Sequence, residues 1–221
     1  MGFKGINVLI FVGFFGMNPV HAQDSWFLGY RLSPPPVAGS AESDEDFIRL
    51  HEYQDHRTPG ACEAAESQSD LTLENGFGPE TGVLTKDEVR QVRVLGARVI
   101  AKALVPVLYF KNRFKRPRPF RTDPTLSPCI SKPRFGDDAY PSGHSTVGYA
   151  LALVLSKRFP EKRDLILRQG LQIGENRLIG GVHHPSDVIA GRRLAEQVVR
   201  GMRKEHHLAF MGPSGNMLRV R

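Results

Sequence analysis

Cysteine is scarce in this 221-residue chain: there are two, Cys62 and Cys129, beside a single tryptophan. Two thiols are too few for a cysteine-rich metal site or for stapling a small domain that lacks a core. In an oxidising compartment they suffice for one disulfide. Long apolar runs are missing beyond the first 22 residues, and a membrane span needs roughly 20 apolar residues in a row. Residues 100–110 carry Lys102 and Pro106, and residues 148–155 are too few. Strict alternation of apolar and polar positions is missing as well, which argues against a sheet. No internal repeat stands out. What remains is one all-α domain.

The first 22 residues are set apart from that domain. Lys4 supplies a positive start, Ile6–Met17 an apolar stretch, and Val20-His21-Ala22 a small-residue end. This is the pattern of a secretory signal peptide. It predicts a mature domain over residues 23–221, exported to the periplasm or beyond the cell, with no transmembrane anchor.

Helical periodicity and breakers divide the rest. Residue 23 onward reads as a loop, with Ser33-Pro34-Pro35-Pro36 in polyproline geometry. A helix is expected over Asp44–Arg57, ended by Thr58-Pro59-Gly60, and a short one over Ala61–Asp70. Three glycines and a proline make residues 71–84 a loop with short helical pieces. Thr85-Lys86-Asp87-Glu88 is a capping box, followed by Val89, Val92, Leu95, Val99 and Ala103 at helical spacing, with Pro106 expected to kink or end the helix. Helices are expected over Ser142–Phe159 and Glu161–Leu178, joined at Pro160, and over Ser186–Leu208. Residues 211–221 are expected to fray.

Three stretches carry chemistry. The first is Lys111–Arg121, with six basic residues in eleven and no acid, in a chain of net charge +7. Such a run is often a solvated or nucleic-acid-binding patch. Here two prolines stiffen it and two phenylalanines pin it to a core, so its charges are held for a compact oxyanion. Nucleic acid is not the expected partner, since that role favours charge spread over a long face with aromatics free to stack. The second is Tyr140-Pro141-Ser142-Gly143-His144, where Ser142 caps a helix and offers a hydroxyl. The Gly143 amide and the His144 imidazole join it at the positive end of the helix dipole. The third is Arg177, His183 and Asp187, the aspartate four residues beyond the histidine. A carboxylate so placed holds one imidazole nitrogen and leaves the other for chemistry. The surrounding positive charge and the lack of clustered carboxylates or thiolates argue against a metal cage built on His183, His184 and Asp187.

Together, Lys111-x6-Arg118-Pro119, Pro141-Ser142-Gly143-His144 and Arg177-x5-His183-x3-Asp187 resemble the three signature motifs of the PAP2 superfamily. That group includes bacterial class A non-specific acid phosphatases, membrane lipid phosphatases and vanadium haloperoxidases. The similarity to the class A enzymes extends over nearly the whole mature chain, through the Pro-Pro-Pro segment, residues 64–78 and Arg116-x-Arg118-Pro119-Phe120. It implies a helical bundle that needs no metal or other cofactor. His183 would attack phosphorus and carry a phosphohistidine, with Asp187 orienting it. His144 would protonate the leaving alcohol and then activate water. Lys111, Arg118, Arg177, Ser142 and the Gly143 amide would neutralise the phosphoryl oxygens.

The expected substrates are therefore small phosphomonoesters, with transfer to other alcohols as a further activity, phosphate and vanadate as inhibitors, and an acidic to near-neutral optimum. A homo-oligomer is expected. Two positions depart from the pattern: Asn176 replaces a common serine, and His184 follows the nucleophile where an aromatic residue is frequent. The register ending at Arg116-Pro117 is disfavoured by the spacing. A lipid-headgroup phosphatase of the same superfamily and a non-catalytic phosphate-binding protein stand as alternatives.

Overall fold

The computed structural model describes residues 25–131, 137–205, 210–211 and 217–218. The signal peptide expected over residues 1–22 and most of the tail expected to fray lie outside them. The described residues form eight α-helices: α1 Ala41–His56, α2 Pro59–Glu66, α3 Leu73–Phe77, α4 Lys86–Phe114, α5 Pro119–Thr122, α6 Gly143–Arg158, α7 Arg163–Ile179 and α8 Pro185–Glu205. Two short antiparallel hairpins complete them, β1 Ser25–Phe27 with β2 Tyr30–Leu32, and β3 Phe210–Met211 with β4 Met217–Leu218. The fold is all-α.

At its centre is α6, which packs on α4, α7 and α8. It is apolar almost all round, as a helix enclosed by others must be. Val147, Ala150, Leu151, Val154 and Leu155 are buried there. Contact with α7 is close because small residues meet. A Cβ on Gly170 would lie 2.3 Å from the Ala152 Cβ, so only glycine lets the two backbones approach. Gly191 of α8 has the same effect at the start of α6, where a Cβ would lie 2.7 Å from the Ser142 carbonyl oxygen. A backbone hydrogen bond from Ser142 N to Asp187 O (3.0 Å) ties the first turns of α6 and α8 together.

Caps set most of the boundaries, and they explain where expectation and structure differ. Ser40 accepts from Ser43 N, which starts α1 three residues before Asp44. Thr58 accepts from Ala61 N with Pro59 in the first turn, so Pro59 opens α2 rather than separating it. The box at Thr85 and Glu88 forms as its spacing predicts. Pro106 neither ends nor divides α4, which runs 29 residues. Pro106, Val107 and Phe110 are buried on its inner face, and that burial offsets the roughly 3 kcal/mol cost of a proline inside a helix. The loop expected from residue 23 onward holds at residues 33–37, which have no regular structure, but residues 25–32 form the β1–β2 hairpin. Leu28 and Gly29 both take positive φ in its turn, and Phe27 stacks on Tyr109 with centroids 4.1 Å apart.

Candidate active site

The three chemical stretches converge where the start of α6, the end of α4 and the α7–α8 turn meet. Lys111 lies in the last turn of α4, and Arg118 in the segment that follows it. His144 is in the first turn of α6, and Arg177 in the last turn of α7. His183 sits on the turn and Asp187 in the first turn of α8. Ala139 N donates to Arg116 O (2.7 Å), so the basic segment runs beside the chain leading into α6.

His183 is held by side chains. Its Nδ1 lies 3.2 Å from Asp187 Oδ2, and its Nε2 lies 2.9 Å from Arg118 Nη1. A carboxylate only accepts and a guanidinium only donates. The proton is therefore on Nδ1, and the Nε2 lone pair faces Arg118 and the cavity. Asp187 is fully buried and accepts also from His184 N (2.8 Å) and His184 Nδ1 (3.1 Å). Its other oxygen accepts from Arg116 Nη1 at 2.6 Å. Arg116 in turn reaches Asp46 of α1 (2.9 Å) and Ser186 (2.7 Å). Burial alone would raise the Asp187 pKa. The hydrogen bonds from both histidines and the Arg116 charge outweigh it and hold the carboxylate well below its usual range.

His144 is held by the main chain. Its Nε2 lies 3.0 Å from Gln68 O and 3.1 Å from Ser69 O, in the segment after α2. Two carbonyl acceptors place the proton on Nε2 and leave Nδ1 as the basic nitrogen. The Gln68 side chain accepts from Asn176 Nδ2 (2.8 Å), and Asn176 Oδ1 accepts from Gln172 (2.9 Å). The departure at Asn176 thus anchors the segment that orients His144. Burial, with the charges of Arg177 and Arg118, brings His144 down to about 3 against those carbonyls. Burial and the Arg118 charge likewise hold His183 well below its ordinary value.

Three cations surround the two imidazoles. Lys111 Nζ donates to Asp138 O, and burial with the Arg118 charge brings its pKa down to about 7. Burial lowers Arg118 and Arg177 to about 10 each. Arg177 donates to Ala65 O of α2. Arg118 Nε and Arg177 Nε are buried with no hydrogen-bond partner, donors of the kind an oxyanion satisfies. Cys62 of α2 is disulfide-bonded to Cys129, which fixes α2 beside these groups. The cavity has two arms that share Ser69, Asp70, Arg118, His144 and His183. One, of about 420 Å³, includes Lys111 and Gly143; the other, of about 140 Å³, includes Arg177 and Glu66. Among the described residues, no group of three or more His, Cys, Asp or Glu is placed to hold a metal ion.

Residues 91–204 match the PAP2 superfamily. The chain belongs to that superfamily. A non-specific acid phosphatase of Providencia stuartii is 32% identical over 176 residues, covering 76% of this chain and 71% of the relative. Among solved structures, a bacterial vanadium-dependent iodoperoxidase superposes with a TM-score of 0.59 at 16% identity, over 80% of this chain and 52% of that one. A transmembrane PAP2-type phosphatidylglycerolphosphate phosphatase from Bacillus subtilis gives 0.51 at 19% identity, over 76% and 89%. The structural likenesses establish the PAP2 helical fold, and the sequence relatives support a phosphatase activity. Among the described residues no helix is long and apolar enough to cross a membrane.

Of the expected PAP2 site residues, Lys111, Arg118, Gly143, His144, Arg177 and His183 line the cavity, with Asp187 directly behind His183. Ser142 does not line it: the residue is fully buried and its Oγ accepts from Ser145 N (3.3 Å), serving as the cap of α6. His184 is turned away, edge-on to Phe47 with centroids 5.3 Å apart, so His183 alone of the pair faces the cavity. Sequence reasoning missed Arg116, Asp46, Gln68 and Ser69. Arg116 was visible as part of the Arg116-x-Arg118-Pro119-Phe120 run and as a rejected motif register, without a role, and Asp46 only as one more acid near the start of α1. Backbone carbonyls leave no trace in residue identity.

Proposed function

We propose that this chain is an exported acid phosphatase that hydrolyses phosphate monoesters through a phosphohistidine on His183. The supporting observation is the pair of imidazoles with opposite tautomers across one cation-lined cavity. His183 offers Nε2 as a nucleophile, and His144 offers Nδ1 to carry a proton. In the first step His183 Nε2 forms a bond to phosphorus as the ester P–O bond breaks, and the leaving oxygen takes the proton from His144. In the second, His144 removes a proton from water, the water oxygen attacks phosphorus, and the P–N bond breaks to release phosphate. An alcohol in place of water gives phosphotransfer. Lys111, Arg118, Arg177 and the Gly143 amide neutralise the transferring oxygens, the main source of rate in such reactions. Asp187 keeps the proton on Nδ1 and stabilises the positive charge that develops on His183.

The test is p-nitrophenyl phosphate hydrolysis by residues 23–221 from pH 4 to 9, with EDTA and orthovanadate arms and His183→Ala alongside. Turnover that resists EDTA, is inhibited by vanadate and disappears in the variant is the expected result. Loss of turnover with EDTA would show that a metal takes part. Tight phosphate binding without turnover would make the chain a binding protein.

A further inference from the structure

The two arms of the cavity differ in chemistry as well as size. The arm of about 140 Å³ is bordered by Arg177, Glu66 and Ser131 and has room for little beyond a phosphoryl group. The arm of about 420 Å³ rises from Lys111, Arg118, His144 and His183; Ser69, Asp70 and Thr72 border it on one side, and the rest of its wall is Leu71, Ile100, Leu104, Val107, Leu108 and Val147. Four of those wall residues, with Lys111, form one stripe of α4 at positions 100, 104, 107, 108 and 111. That is the spacing that aligns side chains on a single helix face. The stripe therefore runs from solvent down to the amine expected at the phosphate. Leu104 is 40% exposed and Leu108 59% exposed, so they cover no core.

We propose that the larger arm is the leaving-group subsite, and that it selects phosphomonoesters of apolar alcohols. This rests on the phosphatase reading above. Once the phosphoryl group sits between the two imidazoles and the three cations, only this arm has room for the ester group. A hydrocarbon there covers Leu104 and Leu108 and is itself removed from water, worth about fourfold in affinity per fully buried methylene. A polar alcohol leaves the leucines wet and gains nothing from the apolar wall. The occupant is the substrate's own hydrocarbon, because the apolar walls are continuous with the reacting groups.

The experiment measures kcat/KM at pH 5.5 for ethyl, butyl and hexyl phosphate. Their leaving alcohols have similar acidity, so the trend reports contact rather than chemistry. The ratio of hexyl to ethyl is expected to exceed tenfold, and to fall below threefold in Leu104→Gln/Leu108→Gln. These are exposed positions where glutamine preserves the helix. Val94→Gln, at an 84%-exposed position of the same helix outside the cavity, keeps the wild-type ratio. Turnover of all three esters with a flat ratio overturns the subsite and leaves the phosphatase reading intact. No turnover of any ester overturns both. An unchanged ratio in the double variant, with a shift in its elution volume on gel filtration, makes the stripe a contact between copies and also overturns the subsite. A parallel arm with phosphatidic acid in phosphatidylcholine vesicles identifies the source of the hydrocarbon. A Leu104- and Leu108-dependent preference on vesicles points to a lipid, and one confined to soluble esters points to a free monoester.

Discussion

The two imidazoles of the site are supported in opposite ways. His183 rests on a chain of charged side chains, Asp187, Arg116 and Asp46, reaching from α8 to α1. His144 rests on two backbone carbonyls, kept in place by the Gln68–Asn176 contact between the segment after α2 and α7. A carboxylate can stabilise an imidazolium that forms during reaction, as a nucleophile that gains charge requires. A neutral carbonyl fixes the tautomer while adding little charge, which suits a group that must give up a proton and take one back. In the proposed mechanism, each support matches the task of its histidine.

The largest effect follows from cutting the charged support at its centre. Asp187→Asn keeps the shape but offers His183 an amide, which no longer selects the Nδ1 proton or stabilises the imidazolium. kcat is expected to fall by about 10³- to 10⁴-fold, as for comparable triads, and equally for esters with good and poor leaving groups. Arg116→Leu tests the next link. It leaves Asp46 and Asp187 buried without their shared cation, and removing one member of a buried ionic network costs about 3–5 kcal/mol. Urea unfolding should show a loss of that order, with a smaller fall in kcat than for Asp187→Asn. A stable Arg116→Leu protein with normal kcat would mean that this network does not position the nucleophile.

The main-chain support is reached only indirectly, and Asn176→Ala is the handle. It leaves the Gln68 side-chain oxygen without its donor, an effect of about 1–2 kcal/mol, and loosens the carbonyls that aim His144. Because His144 acts on the leaving oxygen, the loss should depend on the ester. About a tenfold fall is expected for alkyl phosphates and little change for p-nitrophenyl phosphate, whose leaving group needs no proton. An equal loss for both would place Asn176 on the His183 side of the comparison.

That contrast also explains what could be read from the sequence. Lys111, Arg118, Gly143, His144, Arg177, His183 and Asp187 were legible because chemistry fixes both their identity and their spacing. The helices α4, α6, α7 and α8 were legible from apolar periodicity and caps. The carbonyls of Gln68 and Ser69 were not, since any residue supplies a carbonyl. Ser142 was read as both cap and ligand because a serine at a helix start can take either role; its cap bond to Ser145 N forms as expected, and its burial away from the cavity is tertiary. Pro106 was expected to kink or end α4 because the local cost of proline is visible in sequence, while the buried contacts of Val107 and Phe110 that let the helix continue are tertiary.

The smallest effect concerns protons, and here the two histidines behave alike. With no anion in the site, His144 at about 3 is neutral in the folded protein at pH 5, and burial with the Arg118 charge pushes His183 in the same direction. The unfolded chain protonates both below about pH 6.5. Unfolding therefore takes up protons in that range, and stability must fall as pH drops from 6.5 to 5, by up to about 2 kcal/mol per histidine. Asp187 adds nothing in this window, because its carboxylate is ionised in both states above pH 5. A bound phosphate changes the balance by favouring a charged His144, so the folded protein then takes up a proton too. Phosphate should accordingly raise the Tm by several degrees at pH 5 and by less at pH 7.5, where Lys111, at about 7, is losing its charge. The same argument makes the substrate monoanion the carrier of the first proton. kcat/KM should fall with rising pH above about 6, the second ionisation of a phosphomonoester. A plateau extending to pH 8 would mean that His144 holds its proton before substrate arrives, contrary to its burial among cations.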